Sequence, residues 1–252
     1  MAAMRTKAPA TLLAPEKNQA FCPGCGHGIV VRLIHEVMEE MGLADKNVMI
    51  LGVGCSCNIN SLAVSDVFQC AHGRASAVAT GVKRQKPELL TVAYQGDGDA
   101  AVIGLSETMN AAYRNENITL IMINNTNFGM TGGQMSWTTL PGEKTETSKK
   151  GRNCDITGLP MHVPEMMAAS FPKAAYIARG STHDIANINK TKQYIRNAFE
   201  AQMNKEGYSM VEILCACPTN WHLSPLKCQA RIASDVIKEY PVGEFKTRRN
   251  DK

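Results

Sequence analysis

Long apolar runs are missing from this chain of 252 residues. No stretch approaches the roughly 18–20 consecutive apolar residues that cross a bilayer, so no membrane partner is expected. The first 20 residues contain Leu12-Leu13 but no apolar signal-peptide core. Without an export signal, the expected compartment is a reducing cytoplasm. Basic runs interleaved with aromatics are also missing, and the net charge of +4 is spread out. That pattern excludes nucleic acid as a partner. Arg248-Arg249 falls in a polar stretch and reads as a solvated end. There is no internal repeat, low-complexity tract or domain linker. What the chain does have is nine cysteines. In a reducing compartment these argue for metal or redox chemistry rather than disulfides.

Residues 1–20 read as an arm without periodicity, residues 21–230 as one α/β domain, and residues 231–252 as a tail. From Gly28 to Met41 the apolar positions Ile29, Val30, Leu33, Ile34, Val37, Met38 and Met41 recur at helical spacing. Val48–Val53, Leu89–Tyr94 and Ile118–Ile123 are short apolar runs that read as buried strands. Helices are expected over Gly73–Val82 and Gly104–Tyr113. A further helix–strand–helix–strand series is expected at about 163–170, 174–178, 187–204 and 209–214. Residues 126–160 are rich in Gly, Thr, Ser and Lys and have little periodicity, and so long an irregular segment is usually functional. Strands alternating with helices imply a parallel sheet covered on both faces.

Ligands of such sheets bind beyond the carboxyl ends of the strands. Cys55-Ser56, Gly96-Asp97, Asn124-Asn125 and the pair Cys215 and Cys217 each follow an apolar run directly. Four strand ends therefore deliver polar or sulfur groups to one edge. Asp97 and Asn125 stand 28 residues apart, within Gly96-Asp97-Gly98-Asp99 and Asn124-Asn125-Thr126-Asn127. A carboxylate and an amide oxygen at two strand ends suit one Mg²⁺, with the carbonyl of Asn127 as a third ligand. Phosphate oxygens and water would complete its octahedron, so a diphosphate cofactor is expected. Gly96 and Gly98 allow close backbone approach. Gly129, Met130 and Thr131, followed by Gly132-Gly133, offer N–H groups and a hydroxyl to phosphate. The pattern of an EF-hand loop is absent. Cys22-Pro23-Gly24-Cys25 is a tight chelating turn, and a four-sulfur site needs two more thiolates. Cys55 competes with Cys57 and Cys215 with Cys217, because residues two apart on a strand share a face.

Gly-Asp-Gly followed after 25–30 residues by Asn-Asn resembles the thiamine diphosphate signature. Asn124-Asn125-Thr126-Asn127-Phe128-Gly129-Met130-Thr131-Gly132-Gly133-Gln134, with Thr138-Thr139, resembles the β subunit of 2-oxoacid:ferredoxin oxidoreductases. So do Cys22-Pro23-Gly24-Cys25-Gly26-His27, Gly52-Val53-Gly54-Cys55-Ser56 and His72-Gly73-Arg74. The match runs in order from about residue 20 to 225. The resemblance implies the thiamine diphosphate-binding fold, with Val53, Gly54, Cys55 and Ser56 contacting the cofactor alongside the Gly96–Asp99 turn. It implies a four-iron four-sulfur cluster on Cys22, Cys25, Cys55 and Cys217. The implied reaction is CoA-dependent oxidative decarboxylation of a 2-oxoacid, with electrons passing through the cluster to ferredoxin.

His72 and Arg74 are the local candidates for meeting the substrate carboxylate or a developing oxyanion. Ser136, Trp137, Thr138 and Thr139 are candidates for the acyl pocket, and His27 and His222 read as structural. Enzymes of this family pair the diphosphate domain with a pyrimidine-binding one, for which the chain has no room. An α subunit should supply it, and γ and ferredoxin-like δ subunits should supply further clusters, since no Cys-x₂-Cys-x₂-Cys repeat is present. Asn58, neutral where some 2-oxoglutarate-using members carry a basic residue, favours a branched 2-oxoacid such as 2-oxoisovalerate. The ending Cys217-Pro218-Thr219-Asn220-Trp221 points the same way. The alternatives are 2-oxoglutarate, a non-oxidative thiamine-dependent lyase, and a zinc-stabilised binding module, the last weakened by the lack of a second CxxC.

Overall fold

The computed structural model describes residues 8–12 and 20–247. Leu13 and Arg248-Arg249 lie outside the described residues. The chain opens with α1 (Gly26–Glu40), β1 (Asn47–Leu51), a 3-10 turn at Cys55–Ser61, and β2 (Asp66–Gln69). It continues through α2 (Ala75–Gln85), β3 (Leu90–Gly96), a π-helical turn at Gly98–Ile103, α3 (Leu105–Tyr113) and β4 (Thr119–Asn124). The irregular segment holds the small hairpin β5 (Asn127–Phe128) and β6 (Gln134–Met135) and the short α4 (Cys154–Thr157). Then come α5 (Val163–Ser170), β7 (Tyr176–Ser181), α6 (Ile185–Met203), β8 (Ser209–Leu214), α7 (Pro218–Trp221), α8 (Pro225–Arg231), α9 (Ile237–Glu239) and β9 (Gly243–Thr247).

The sheet order is β2-β1-β3-β4-β8-β7-β9. Neighbours run parallel except β9, which pairs antiparallel with β7. Strand residues alternate between two cores, as a period of two requires. Met49, Tyr94, Ile121 and Val211 face α1 and α6, meeting Ile34, Val37, Ile195 and Phe199. Ile50, Ala93, Leu120 and Met210 face α2, α3 and α5, meeting Ala75, Ala79, Ala112 and Met167. A doubly covered parallel sheet is thus what the chain forms.

Two expectations are corrected. Residues 231–247 are not a tail: they form a π-helical turn, α9 and the edge strand β9, and they bury Ile232, Val236 and Tyr240 against Leu214 and Trp221. Residues 8–12 do not project as an arm. Leu12 bridges Ala63, and buried Thr11 bonds His35 Nδ1 at 2.9 Å. Short pieces with only a few apolar contacts show too little periodicity to be read.

Arg179 on β7 and Glu212 on β8 are both fully buried and bonded to each other, and Arg179 also forks onto Glu165 at 2.7 Å through each terminal nitrogen. Its guanidinium stacks on Tyr240 and Phe245, tying β9 to the sheet. Arg179→Ala would leave the Glu212 carboxylate buried without its cation. A loss of about 3–5 kcal/mol is expected, measured as the shift in denaturant midpoint.

Candidate cofactor-binding site

The carboxyl ends of β1, β3, β4 and β8 meet at one edge. A cavity there is lined by Val53, Gly54, Cys55, Ser56, Gly96, Asp97, Gly98, Asp99, Asn125, Asn127, Gly129, Met130 and Thr131, with His72 and His27. The residues expected to touch the cofactor therefore face one space, except Gly132 and Gly133, which do not line it. A second cavity, of about 320 Å³, adjoins it and is lined by Cys22, Cys25, Cys55 and Cys217, with Asn58 and Asn220. Cys55, Asn125, Gly129, Met130 and His27 line both. A Cβ placed on Gly129 would stand 3.4 Å from both the Asn125 Nδ2 and the Cys55 Sγ.

Asp97 begins the π-helical turn and is buried. Its Oδ2 accepts a hydrogen bond from the Thr138 hydroxyl, and no cationic side chain pairs with it among the described residues. Burial pushes its carboxyl up from the ordinary 3.8 to about 7. A buried carboxylate lacking a counter-charge is chemically suited to a divalent cation. Asn125 folds into a turn in which its Oδ1 accepts from Asn127 N at 3.3 Å, while its carbonyl accepts from Asn127 Nδ2 at 2.7 Å and Trp221 Nε1 at 3.1 Å. Thr126, between them, has φ +62°, a left-handed conformation rare for a β-branched residue. Three bonds hold it: its N–H to Asn124 Oδ1, its hydroxyl to Glu143, and its carbonyl to Thr139 Oγ1. Ser56 Oγ is buried at the cavity wall with no partner among the described residues, so it remains a donor for a ligand oxygen.

Asp99 has a different place from the one expected. Its carboxylate accepts from Gly73 N at 2.7 Å, from Val53 N at 3.4 Å, from the Gln95 amide and from His72 Nδ1. It lines the cavity, but its oxygens are occupied by protein. Gly98 likewise gives its space to the Phe128 ring, 2.3 Å from where a Cβ would stand. His72 reaches the cavity with Nδ1 committed to Asp99, which leaves Nε2 toward a ligand. Arg74 does not reach it: it caps α2 at the surface and pairs with Glu107 at 2.9 Å. Ser136, Thr138 and Thr139 are buried supports behind Asp97 and Thr126 rather than an acyl pocket, and Trp137 is part-exposed. Arg152 pins their loop through the carbonyls of Trp137, Thr139, Gly158 and Leu159.

The thiols of Cys22, Cys25, Cys55 and Cys217 interact electrostatically with one another, and burial with this mutual repulsion pushes Cys25 up to about 12 and Cys55 up to about 11. Cys215 lies behind them in the core, against Thr182 Oγ1 and Gly26. Cys57 turns toward Asn58. Among the described residues no group of three or more His, Cys, Asp or Glu closes around a point that could hold a metal ion. The sulfurs share a cavity without forming a closed cage. His27 and Asn220 are the members that sequence reasoning did not select. His27 is buried, bonds Tyr94 at 2.7 Å, and burial pushes it down to about 4, so it is neutral. Its adjacency to Cys25 was the available signal.

Residues 52–213 match the family model described as thiamine pyrophosphate enzyme, C-terminal TPP binding domain. The chain belongs to the thiamine diphosphate-binding subunits of the 2-oxoacid:ferredoxin oxidoreductase family. It is 41% identical to ketoisovalerate oxidoreductase subunit VorA of Methanothermobacter thermautotrophicus over 90% of this chain and 48% of that one. It is 34% identical to 2-oxoglutarate synthase subunit KorB of Archaeoglobus fulgidus over 90% of this chain and 84% of that one. The fold is similar to 2-oxoglutarate:ferredoxin oxidoreductase from Magnetococcus marinus, with TM-score 0.72 and 30% identity, covering 86% of this chain and 70% of that one. The chain spans about half the length of the VorA relatives it matches.

An acid whose folded pKa lies above its unfolded one keeps its proton longer in the native state. Stability of the cation-free chain should therefore fall as pH rises from 3.8 to about 7. The Asp97 share of this fall is up to about 4 kcal/mol, at roughly 1.4 kcal/mol per pKa unit. Asp97→Asn should remove it, and thermal melts of both proteins across that range in chelator will show whether it does.

Proposed function

We propose that this chain binds thiamine diphosphate, Mg²⁺ and a 4Fe–4S cluster for a multi-subunit 2-oxoacid:ferredoxin oxidoreductase. The observation that carries the reading is the pair of adjoining cavities, one lined by Asp97, Asn125 and the phosphate-loop residues, the other by Cys22, Cys25, Cys55 and Cys217. Asp97 and Asn125 would hold Mg²⁺ together with the Asn127 carbonyl, and Ser56 and the Gly129–Thr131 loop would hold phosphate. When bound, thiamine diphosphate supplies an electron sink for decarboxylating a 2-oxoacid, and the cluster supplies one-electron steps toward ferredoxin. His72, held by Asp99 through Nδ1, would turn Nε2 toward the substrate to hold or move a proton. Phe21, on the wall of the cysteine cavity, stacks on His27 at 5.1 Å.

The partners in this reading are an α subunit bringing the pyrimidine-binding domain, γ and ferredoxin-like δ subunits, ferredoxin, CoA and the 2-oxoacid. All nine cysteines are free thiols, which fits a reducing cytoplasm. No helix of the described residues is long and apolar enough to cross a membrane. The favoured substrate is a branched 2-oxoacid. Asn58 stands at the cysteine cavity with its amide donating to the Ala20 carbonyl at 2.7 Å, so that wall presents no cation to a distal carboxylate. The 2-oxoglutarate reading draws on the KorB and Magnetococcus likenesses.

Three outcomes test this. The purified chain alone should not oxidise any 2-oxoacid, and adding the partner chains should give CoA-dependent reduction of a low-potential dye, fastest with 2-oxoisovalerate. Anaerobically reconstituted chain should hold iron and acid-labile sulfide in equal amounts. Iron-free, active protein would mean a non-oxidative lyase, and zinc without cofactor binding would mean a binding module. Asp97→Ala should weaken calorimetric binding of thiamine diphosphate with Mg²⁺ by roughly 2–4 kcal/mol, the cost of losing a desolvated charged contact.

A further inference from the structure

The diphosphate turn is backed by α7, which lies outside the stretches expected to touch the cofactor. Asn220 lines the cysteine cavity and not the diphosphate cavity. Its side-chain amide still reaches the turn: Nδ2 donates to Asn127 Oδ1 at 3.1 Å and to the Gly129 carbonyl at 2.8 Å. Asn127 passes the contact on, since its own Nδ2 donates to the Asn125 carbonyl at 2.7 Å. An amide has one accepting and one donating end, so the Asn127 side chain is oriented by Asn220 on one side and Asn125 on the other. Trp221, next along α7, donates from Nε1 to the same Asn125 carbonyl at 3.1 Å. Gly133 makes the approach possible, because a Cβ there would lie 2.9 Å from the Asn220 Cβ. The Gly129 contact also sets a direction. In a planar trans peptide unit the C=O and N–H point opposite ways. With the Gly129 carbonyl held by Asn220, the N–H of Met130 points away from Asn220, and Met130 lines the diphosphate cavity.

We propose that Asn220 is a positioning residue for the diphosphate and its cation. By holding Asn127 Oδ1 and the Gly129 carbonyl, it sets the directions in which Asn125, the Asn127 carbonyl and the Met130 N–H meet the ligand, without touching the ligand itself. The bonds from Asn124, Glu143 and Thr139 hold the start of the turn at Thr126. Asn220 holds its second half, from Asn127 to Gly129. Groups that orient metal and phosphate ligands from behind govern affinity through the geometry they impose. The proposal rests on the reading of the first cavity as the thiamine diphosphate site and requires nothing of the cluster.

The test uses the full chain and two probes, thiamine diphosphate and inorganic pyrophosphate, each titrated by calorimetry with Mg²⁺. Asn220→Asp keeps the volume against Gly133 but replaces the donor with an acceptor. It should weaken both probes alike, by roughly tenfold to a hundredfold for two lost hydrogen bonds. Asn220→Ala removes the donor without adding a charge, and should show the same loss if the aspartate variant does not fold. With Mn²⁺ in place of Mg²⁺, the electron paramagnetic resonance spectrum of the pyrophosphate complex should differ between parent and variant even at saturation, because Asn125 and Asn127 then meet the ion from altered directions. Affinities unchanged in a folded variant would overturn the proposal. Weaker binding with an unchanged Mn²⁺ spectrum would mean a merely structural role and would overturn it too. A parent chain that binds neither probe would instead remove the thiamine diphosphate reading, and the positioning role with it, whereas a binding parent with insensitive variants removes the positioning role alone.

Discussion

The geometry of the site depends on one buried carboxylate, Asp99. Its oxygens gather donors from three separate stretches: Val53 after β1, His72 and Gly73 before α2, and Gln95 on β3. A buried carboxylate needs several donors to offset its desolvation, and these stretches supply them. The arrangement is tight enough that a Cβ on Gly52 would sit 1.8 Å from Asp99 Oδ2. Fixing Asp99 fixes the π-helical turn that follows β3, and hence the direction in which Asp97, two residues earlier, faces. One carboxylate is satisfied so that its neighbour can remain unsatisfied.

The two cavities share an electrostatic problem. Asp97 is buried with its charge disfavoured, and burial, with the neighbouring thiols, raises the pKa values of Cys25, Cys55 and Cys217. Neither half is stable in its anionic form without added positive charge. Thiolate is the ligand form of cysteine and carboxylate the ligand form of aspartate, so in the proposed reading metal binding and deprotonation would occur together. Cys215 does not line the cysteine cavity and packs in the core cluster beside α1.

Much of the fold was legible because its central strands are continuous apolar runs with clean boundaries. β1, β3, β4 and β8 each lie within a residue or two of the expected limits, and their ends carry the site residues. β2 was not legible, since it is a four-residue edge strand with one face exposed and no period to read. β9 and the pieces from Pro225 to Glu239 were missed because prolines and π-helical turns break them into segments shorter than a recognisable helix. That Asp97, Asn125 and the cysteines gather at one edge of the sheet could be read from strand-end position. The separate duties of Asp99, Thr138 and Asn220 could not. They follow from which neighbour occupies the adjacent space, and a sequence does not state that. Arg74 shows the converse: a residue type suited to substrate recognition was drawn to the nearest surface carboxylate, Glu107.

The C-terminal segment has a structural consequence for the site. Arg179 joins Glu165 and Glu212, and Glu212 accepts from Asn124 Nδ2 at 2.8 Å, so the ion network reaches the residue that holds the left-handed Thr126 in place. From the opposite side Tyr240 donates to the Thr138 carbonyl at 2.7 Å, and Thr138 donates to Asp97. Tyr240 is also one of the rings over Arg179. The two routes therefore close into a loop that runs through β7, β8, the irregular segment and residues 231–247. Strain at Thr126 costs of order 1–3 kcal/mol and persists only when its surroundings over-determine it. The loop provides that over-determination. The buried Arg179, which lines neither cavity, is thus part of what keeps Asn125 and Asp97 facing the same space.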